Sequence, residues 1–306
     1  MYIDYLIYHP FTQQKDYSMF ISDRRVQYFN DLYKRYNMIA DIDIKQKITP
    51  FENLSGYLFD KLHNEINMND MEWIIFPKYG LTLDETFTTP ELFLKNKYHF
   101  NASVLDVASG GVLSVYRSVS LIMALSSKSS TPHFLIASIE TACQSLNGWR
   151  AQSSSFKTRS SEPLNNSNFP YRQKSSAFMP EIFKNSAVGS IAFSSISDCG
   201  KSIKVEHCSV TFHSKTLITQ FINALLKKFN IHYSTCLFCF RDKEFYGLQY
   251  PFQKRFSNSG GFMFFYQSLT HAFENAGKIF QRYCLIVDYE QSIDALGLLL
   301  LEIKKG

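Results

Sequence analysis

Long hydrophobic runs are missing from this chain. No apolar stretch reaches the roughly 18 residues that a membrane-spanning helix needs. The opening segment, Met1 to Tyr17, has neither the basic region nor the small-residue cleavage site of a secretory signal. The expectation is a cytoplasmic protein that does not enter a membrane. Charge is also sparse. Charged residues make up 19% of the sequence, and 32 Lys and Arg against 27 Asp and Glu leave a formal net charge of +5 with no dense basic stripe. Without such a stripe there is nothing to follow a phosphate backbone, so nucleic acid is not an expected partner. The six cysteines, at 143, 199, 208, 236, 239 and 284, form no disulfide framework for a chain this large. Cys236 and Cys239 make a lone CxxC with no second pair and no suitably spaced histidines, so they read as buried free thiols and no metal site is expected.

What the chain has in quantity is aromatic and aliphatic bulk. Hydrophobic residues are 45% of the sequence, with 28 Phe and 18 Tyr, so the 306 residues can fill a large interior or two units of about 150 residues each. The second possibility gains weight from a repeated turn. Asp106-Val-Ala-Ser-Gly-Gly-Val112 and Phe256-Ser-Asn-Ser-Gly-Gly-Phe262 both lead through Ser-Gly-Gly into an apolar helix, and Ser109 and Ser259 lie 150 residues apart. Similar units at half the chain length indicate an internal duplication. The two halves are assigned as residues 1–165, carrying Ser109, and 166–306, carrying Asn258.

Periodicity fills in the elements. Leu54, Leu58, Leu62 and Ile66 recur at helical spacing over Phe51 to Ile66, and Asp70-Met-Glu leads into a strand at Trp73 to Phe76. A short helix is expected over Thr89 to Asn96, then a strand over Ala102 to Val107, a helix over Val112 to Leu125 and a strand over His133 to Glu140. Beyond a Ser- and Asn-rich loop, Gln152 to Ser176, regular patterning resumes at Ser190 to Ser194. It continues with helices over Lys215 to Phe229 and Met263 to Phe273 and a strand over Tyr283 to Tyr289. Alternating helices and strands predict a layered α/β fold.

The order of these pieces resembles the β-ketoacyl-acyl-carrier-protein synthase III family of the thiolase superfamily. The resemblance runs from Asp70-Met-Glu-Trp-Ile-Ile through Val104-Leu-Asp-Val-Ala-Ser-Gly-Gly-Val-Leu113 to Phe134-Leu-Ile-Ala-Ser-Ile-Glu-Thr141. It continues at Phe183-Lys-Asn-Ser-Ala-Val-Gly-Ser-Ile-Ala-Phe193 and Phe256-Ser-Asn-Ser-Gly-Gly261, covering most of residues 50 to 303. It implies a thiolase-like fold of two duplicated αβα halves in a five-layer αβαβα arrangement, and a dimer joined across His133 to Glu140. It also implies acyl-CoA or acyl-carrier phosphopantetheine as a possible substrate, with no tightly bound cofactor.

The family works with a Cys-His-Asn triad. In Ala108-Ser109-Gly110-Gly111-Val112-Leu113, Ser109 takes the place of the nucleophilic cysteine. The family histidine is absent near Leu237 and Phe238, within Cys236-Leu-Phe-Cys-Phe-Arg-Asp242. Asn258 stands at the place of the family asparagine, and Tyr289-Glu-Gln-Ser-Ile-Asp-Ala-Leu-Gly297 replaces the family's glycine-rich C-terminal loop.

These departures weigh on the chemistry. A cysteine at a helix N-terminus reaches its thiolate from a pKa near 8.5, whereas a hydroxyl starts far higher. A helix terminus supplies at most about 2 kcal/mol, so Ser109 needs a positioned base to attack a thioester. The plain readings are that Ser109 fits a tight turn or caps a helix, that Asn258 is a turn residue, and that Arg241, Asp242 and Lys243 are a polar strand end. His207, His213 and His232 are candidates for a substitute base, His271 reads as a solvated helix residue, and Trp73, Phe262, Phe264 and Phe265 read as core. Three functions follow: a non-catalytic synthase III-like subunit paired with an active homologue, a serine acyltransferase, or an acyl- or carrier-protein-binding module. The mildly basic surface suits an acidic acyl carrier protein.

Overall fold

Seven elements occur twice in the same order. The first set is β1 (Tyr2–Phe11), α1 (Phe51–Glu65), β2 (Trp73–Pro77), β3 (Ser103–Val107), α2 (Ser114–Ser126), β4 (His133–Glu140) and β5 (Ser186–Ser194). The second is β6 (Ser202–Phe212), α3 (Ile218–Lys228), β7 (Cys236–Arg241), β8 (Gln253–Phe256), α4 (Met263–Asn275), β9 (Tyr283–Glu290) and β10 (Ala295–Lys304). The computed structural model describes residues 1–11, 51–77, 97–107, 111–126, 133–140, 186–195, 202–212, 217–241, 248–256, 262–275, 281–290 and 293–304.

The strands lie in the order β3-β2-β4-β5-β1-β6-β10-β9-β7-β8. Read outward from the middle, each half repeats one topology. β2 runs parallel to β3 and β4, and β5 runs antiparallel to β4 and β1. In the same way β7 is parallel to β8 and β9, and β10 is antiparallel to β9 and β6. A short pairing of Tyr2 and Ile3 with Lys204 and Ile203 joins the halves into one ten-stranded sheet.

Helix composition decides the layers. On α3, Ile218, Ile222, Leu225 and Leu226 are buried while Thr219, Gln220, Asn223 and Lys227 are exposed, the one-sided stripe of a helix that covers a sheet. Those residues form an outer core with Phe238, Phe240, Leu285 and Leu298. On the other side Leu58, Phe59 and Leu62 of α1 form a second outer core with Ile74, Leu135 and Val188. By contrast, α2 and α4 are apolar around much of their circumference. Their buried serines are satisfied internally, Ser118 donating to the Ser114 carbonyl and Ser268 to the Phe264 carbonyl at 2.9 and 2.8 Å. Both helices belong to the central core, which draws on both halves. α2 touches β2, β3 and β4 of its own half and β6 and β10 of the other, and α4 touches β1 as well as β8 and β9. The expected five layers, helix-sheet-helix-sheet-helix, are present, with one continuous sheet bent around the middle pair.

β5 lies beyond residue 165 and pairs with β4 and β1. β4 is paired with β2 over Phe134 to Ile136 on one edge and with β5 over its whole length on the other. Among the described strands, β3 and β8 end the sheet. His271 is half-buried on α4, not solvated, because α4 is a middle-layer helix. The helix expected over 89–96 and the loop 152–176 lie outside the described residues.

Candidate functional site

Two polar groups lie buried where β7 and β9 end and α2 begins. The first is at the head of α2. A single 3₁₀ turn, Gly111–Leu113, leads into the helix, and Gly111 adopts φ +57°, a left-handed conformation that favours glycine. Against it rests Glu290, the last residue of β9, only 4% exposed. Its Oε2 accepts a long hydrogen bond, 3.4 Å, from the Val112 backbone N–H. A Cβ on Gly111 would stand 2.6 Å from that oxygen, and any side chain there would also be strained by the left-handed backbone. A negative group at a helix N-terminus is favoured by the helix dipole and by the unpaired first N–H groups.

The second group closes β7. Arg241, at 5% exposure, donates from Nε to Asp288 Oδ1 at 3.0 Å and from Nη2 to Oδ2 at 2.8 Å. Asp288 Oδ1 also accepts from the Tyr289 backbone N–H at 2.9 Å, and the guanidinium lies 5.0 Å from the centre of the Phe264 ring on α4. Such a two-pronged pair is the arrangement that makes a buried charge tolerable. Beside it the Tyr116 ring of α2 is wholly buried, and its hydroxyl has no hydrogen-bond partner among the described residues. Burial first, and the Asp288 charge second, raise that phenol far above its ordinary pKa, so it stays neutral.

The residues expected from the sequence are placed as follows. Ser109 and Asn258 lie outside the described residues, as do His213, Asp242 and Lys243. Leu237 and Phe238 are buried side by side in β7 but on opposite faces. Leu237 points with Cys239 into the central core, and Phe238 points with Phe240 into the outer core under α3, stacked on Tyr250. Phe238 and Phe240 therefore do not line the space between the sheets. Cys236 and Cys239 also face opposite ways, so this CxxC cannot grip one metal ion, and no metal-holding cluster of His, Cys, Asp or Glu occurs among the described residues. The described thiols are buried, and burial pushes that of Cys208 up to about 12.

No described histidine takes the missing position. His207 is half-buried on β6, bonded to Ser209 at 3.0 Å and tilted against Phe229, with its pKa lowered by burial and by Lys228. His232 caps a 3₁₀ turn, its Nδ1 accepting from the Ser234 N–H. Sequence reasoning took Arg241 as a polar strand end and passed over Asp288 and Glu290. The signal was present, because Cys236-Leu-Phe-Cys-Phe-Arg and Cys284-Leu-Ile-Val-Asp-Tyr-Glu are apolar runs that each carry charge only at their C-terminal ends. Neighbouring buried strands ending in opposite charges imply a pair.

This duplicated five-layer arrangement is the thiolase-like fold. No family model matches the sequence, and no curated protein matches it. Solved structures do match over nearly the whole chain. The tetronic acid condensing enzyme AbyA1 has a TM-score of 0.63 at 10% identity, covering 98% of this chain and 99% of that one. A serine-for-cysteine form of Xanthomonas campestris OleA, with bound lauric acid and lauroyl-CoA, gives 0.62 at 10% identity, covering 98% of each. An OleA structure with cerulenin gives 0.61 at 11% identity, covering 98% of this chain and 96% of that one. At such identities the likeness is one of fold. Among the described residues, no helix is long and apolar enough to cross a membrane.

Proposed function

We propose that the chain is a condensing-enzyme-fold protein that holds an acyl thioester between its halves and has given up decarboxylative condensation. The observation that carries this is the Arg241–Asp288 pair. The resemblance puts the family histidine near Leu237 and Phe238 of β7, where none stands, and the strand ends in a guanidinium locked to a carboxylate. A guanidinium does not give up its proton at any ordinary pH, so it cannot serve as a base. Neutralised by Asp288, it also offers little net positive charge to a developing enolate. The chain then acts as a degenerate synthase III-like subunit beside an active homologue in fatty-acid-derived or secondary-metabolite biosynthesis, with CoA or an acyl carrier protein presenting the thioester.

A second reading keeps the loss of condensation but lets Ser109 accept the acyl group and pass it to an alcohol or amine. One observation favours it: the buried Glu290 carboxylate, which accepts from the Val112 N–H three residues past Ser109 in the sequence. Intact-protein mass spectrometry after incubation with acyl-CoA and acyl-carrier thioesters separates the readings. The subunit reading expects no covalent adduct on folded protein, together with retention of an active synthase in a pull-down. The transferase reading expects an adduct that vanishes in Ser109→Ala. Decarboxylation of malonyl-CoA by the pure chain at a rate typical of condensing enzymes would overturn both.

A further inference from the structure

Tyr116 brings to the candidate site a hydroxyl that the fold does not use. Its ring is 0% exposed in the middle layer, edge-on to Phe265 of α4 at 5.0 Å, and the hydroxyl has no hydrogen-bond partner among the described residues. Tyr266, its counterpart on α4, is just as deeply buried but shares a 2.6 Å hydrogen bond with Ser138. The strand residue placed to serve Tyr116 in that way is Asp288, which is paired with the glycine under the ring, and Arg241 already holds both of its carboxylate oxygens. Native interiors leave few polar groups unsatisfied, and phenylalanine would fill the same space without the penalty. Resting on the reading above that an acyl thioester is held between the halves, we infer that the Tyr116 hydroxyl donates to the thioester carbonyl oxygen and so anchors the bound acyl group.

The surroundings define the partner. Burial and then the Asp288 charge keep the proton on the phenol, so it offers an O–H donor and calls for an acceptor. A carboxylate fits poorly, because the guanidinium nearby is already neutralised by Asp288 and a further buried anion would have no cation of its own. The other groups against Tyr116 are apolar or neutral: Phe265 at the ring, Leu113 and Gly297 beside it, and Cys208, whose Sγ donates to the Tyr116 backbone carbonyl at 3.2 Å. A neutral carbonyl oxygen followed by apolar carbon meets these conditions, and an acyl thioester presents both. The place also suits a ligand held between the halves, since Tyr116 belongs to the first set of elements and Arg241, Asp288 and Gly297 to the second. The role is one of positioning, and no bond is made or broken by the hydroxyl.

The test is calorimetric titration of the pure chain with lauroyl-CoA and with S-dodecyl-CoA, a thioether of the same chain length that lacks the carbonyl oxygen. Wild type, Tyr116→Phe and Tyr266→Phe are compared, with urea unfolding to verify that each is folded. Wild type should bind lauroyl-CoA about 3–10-fold more tightly than the thioether, the worth of one neutral hydrogen bond. Tyr116→Phe should lose that preference, binding lauroyl-CoA about 3–10-fold more weakly and the thioether as before, with no fall in its urea midpoint. Tyr266→Phe should keep the preference although it unfolds earlier. If wild type binds the two ligands equally, or if Tyr116→Phe weakens both alike or neither, the hydroxyl does not meet the thioester carbonyl, and the inference is overturned while the binding reading stands. If wild type binds neither ligand, that reading fails and the inference with it.

Discussion

The two middle helices grip the opposite sheets through the same device, and they differ in one place. Tyr266 of α4 lies flat on Gly189 of β5, so close that a Cβ there would stand 2.5 Å from the ring. Tyr116 of α2 lies on Gly297 of β10, where a Cβ would stand 3.0 Å from its ring and 2.8 Å from Leu113. The two tyrosines are 150 residues apart, as are the residues paired with the two glycines, Ser138 and Asp288. In the first joint the partner is neutral: the Tyr266 and Ser138 hydroxyls share a hydrogen bond of 2.6 Å. In the second it is an aspartate committed to Arg241, and the Tyr116 hydroxyl has no partner among the described residues. A duplicated scaffold thus kept its packing in both halves and placed an ion pair in one, at the strand ends beside the candidate site.

The largest effect should come from breaking the charged joint. Arg241→Ala leaves Asp288 buried without its cation and should cost about 3–5 kcal/mol, read as a lower urea midpoint. Arg241→Met with Asp288→Leu should recover most of that, since the pair gains little over apolar packing. If Arg241→Ala proves nearly neutral, the second joint does not depend on its charge.

The next pair of changes compares the two close contacts. Gly189→Ala and Gly297→Ala should each destabilise by about 1–3 kcal/mol through overpacking, and Gly189→Ala should be the worse because it meets the ring more closely. Equal losses would mean that the tyrosines shift at no cost.

A smaller and more telling contrast lies in the hydroxyls. Tyr266→Phe strands the buried Ser138 hydroxyl and should lose about 1–2 kcal/mol, while Tyr116→Phe removes a group without a partner and should be neutral or stabilising by up to about 1 kcal/mol. Matching losses in both would show that Tyr116 has found a partner in solution.

The smallest effect is one of pH. Burial, with Lys228 adding to it, lowers the His207 pKa, and burial with Lys254 lowers that of His271 against the pull of Glu274. Both imidazoles are therefore harder to protonate in the folded chain than in the unfolded one. Their stabilising contribution is complete above the ordinary value of about 6.5 and is lost as the pH falls below it. His207→Gln should make the decline of stability between pH 6.5 and 5 shallower, and an unchanged slope would assign that decline to other groups.

Much of the scaffold could be read directly. β4 was expected over His133 to Glu140 and is found there, and the helices after each Ser-Gly-Gly begin within two residues of expectation. These elements carry their own signal in period and in flanking turns. β1 and β6 were not marked, because strands whose partners lie far along the chain have patterns that make sense only once those neighbours are known; β10, although it pairs with its sequence neighbour β9, was not marked either. The candidate site divides in the same way. Ser109, the absent histidine and Asn258 are matters of residue identity and order, so the sequence displays them. Arg241 meets Asp288 from 47 residues away, and Glu290 meets the head of α2 across 178, so nothing local ties these contacts together.

The sequence by itself determined that the chain is a duplicated α/β protein with serine where its resemblance calls for cysteine, because helix period, strand composition and repeat spacing are local properties. Only the tertiary structure decided that β5 pairs with β4 and β1, that the middle helices lock onto the opposite sheets, and that a buried ion pair and a glutamate flank the head of α2. Those facts depend on which strands become neighbours. That choice is made by the burial of apolar surface and the pairing of charges across the whole core, and no single segment contains it.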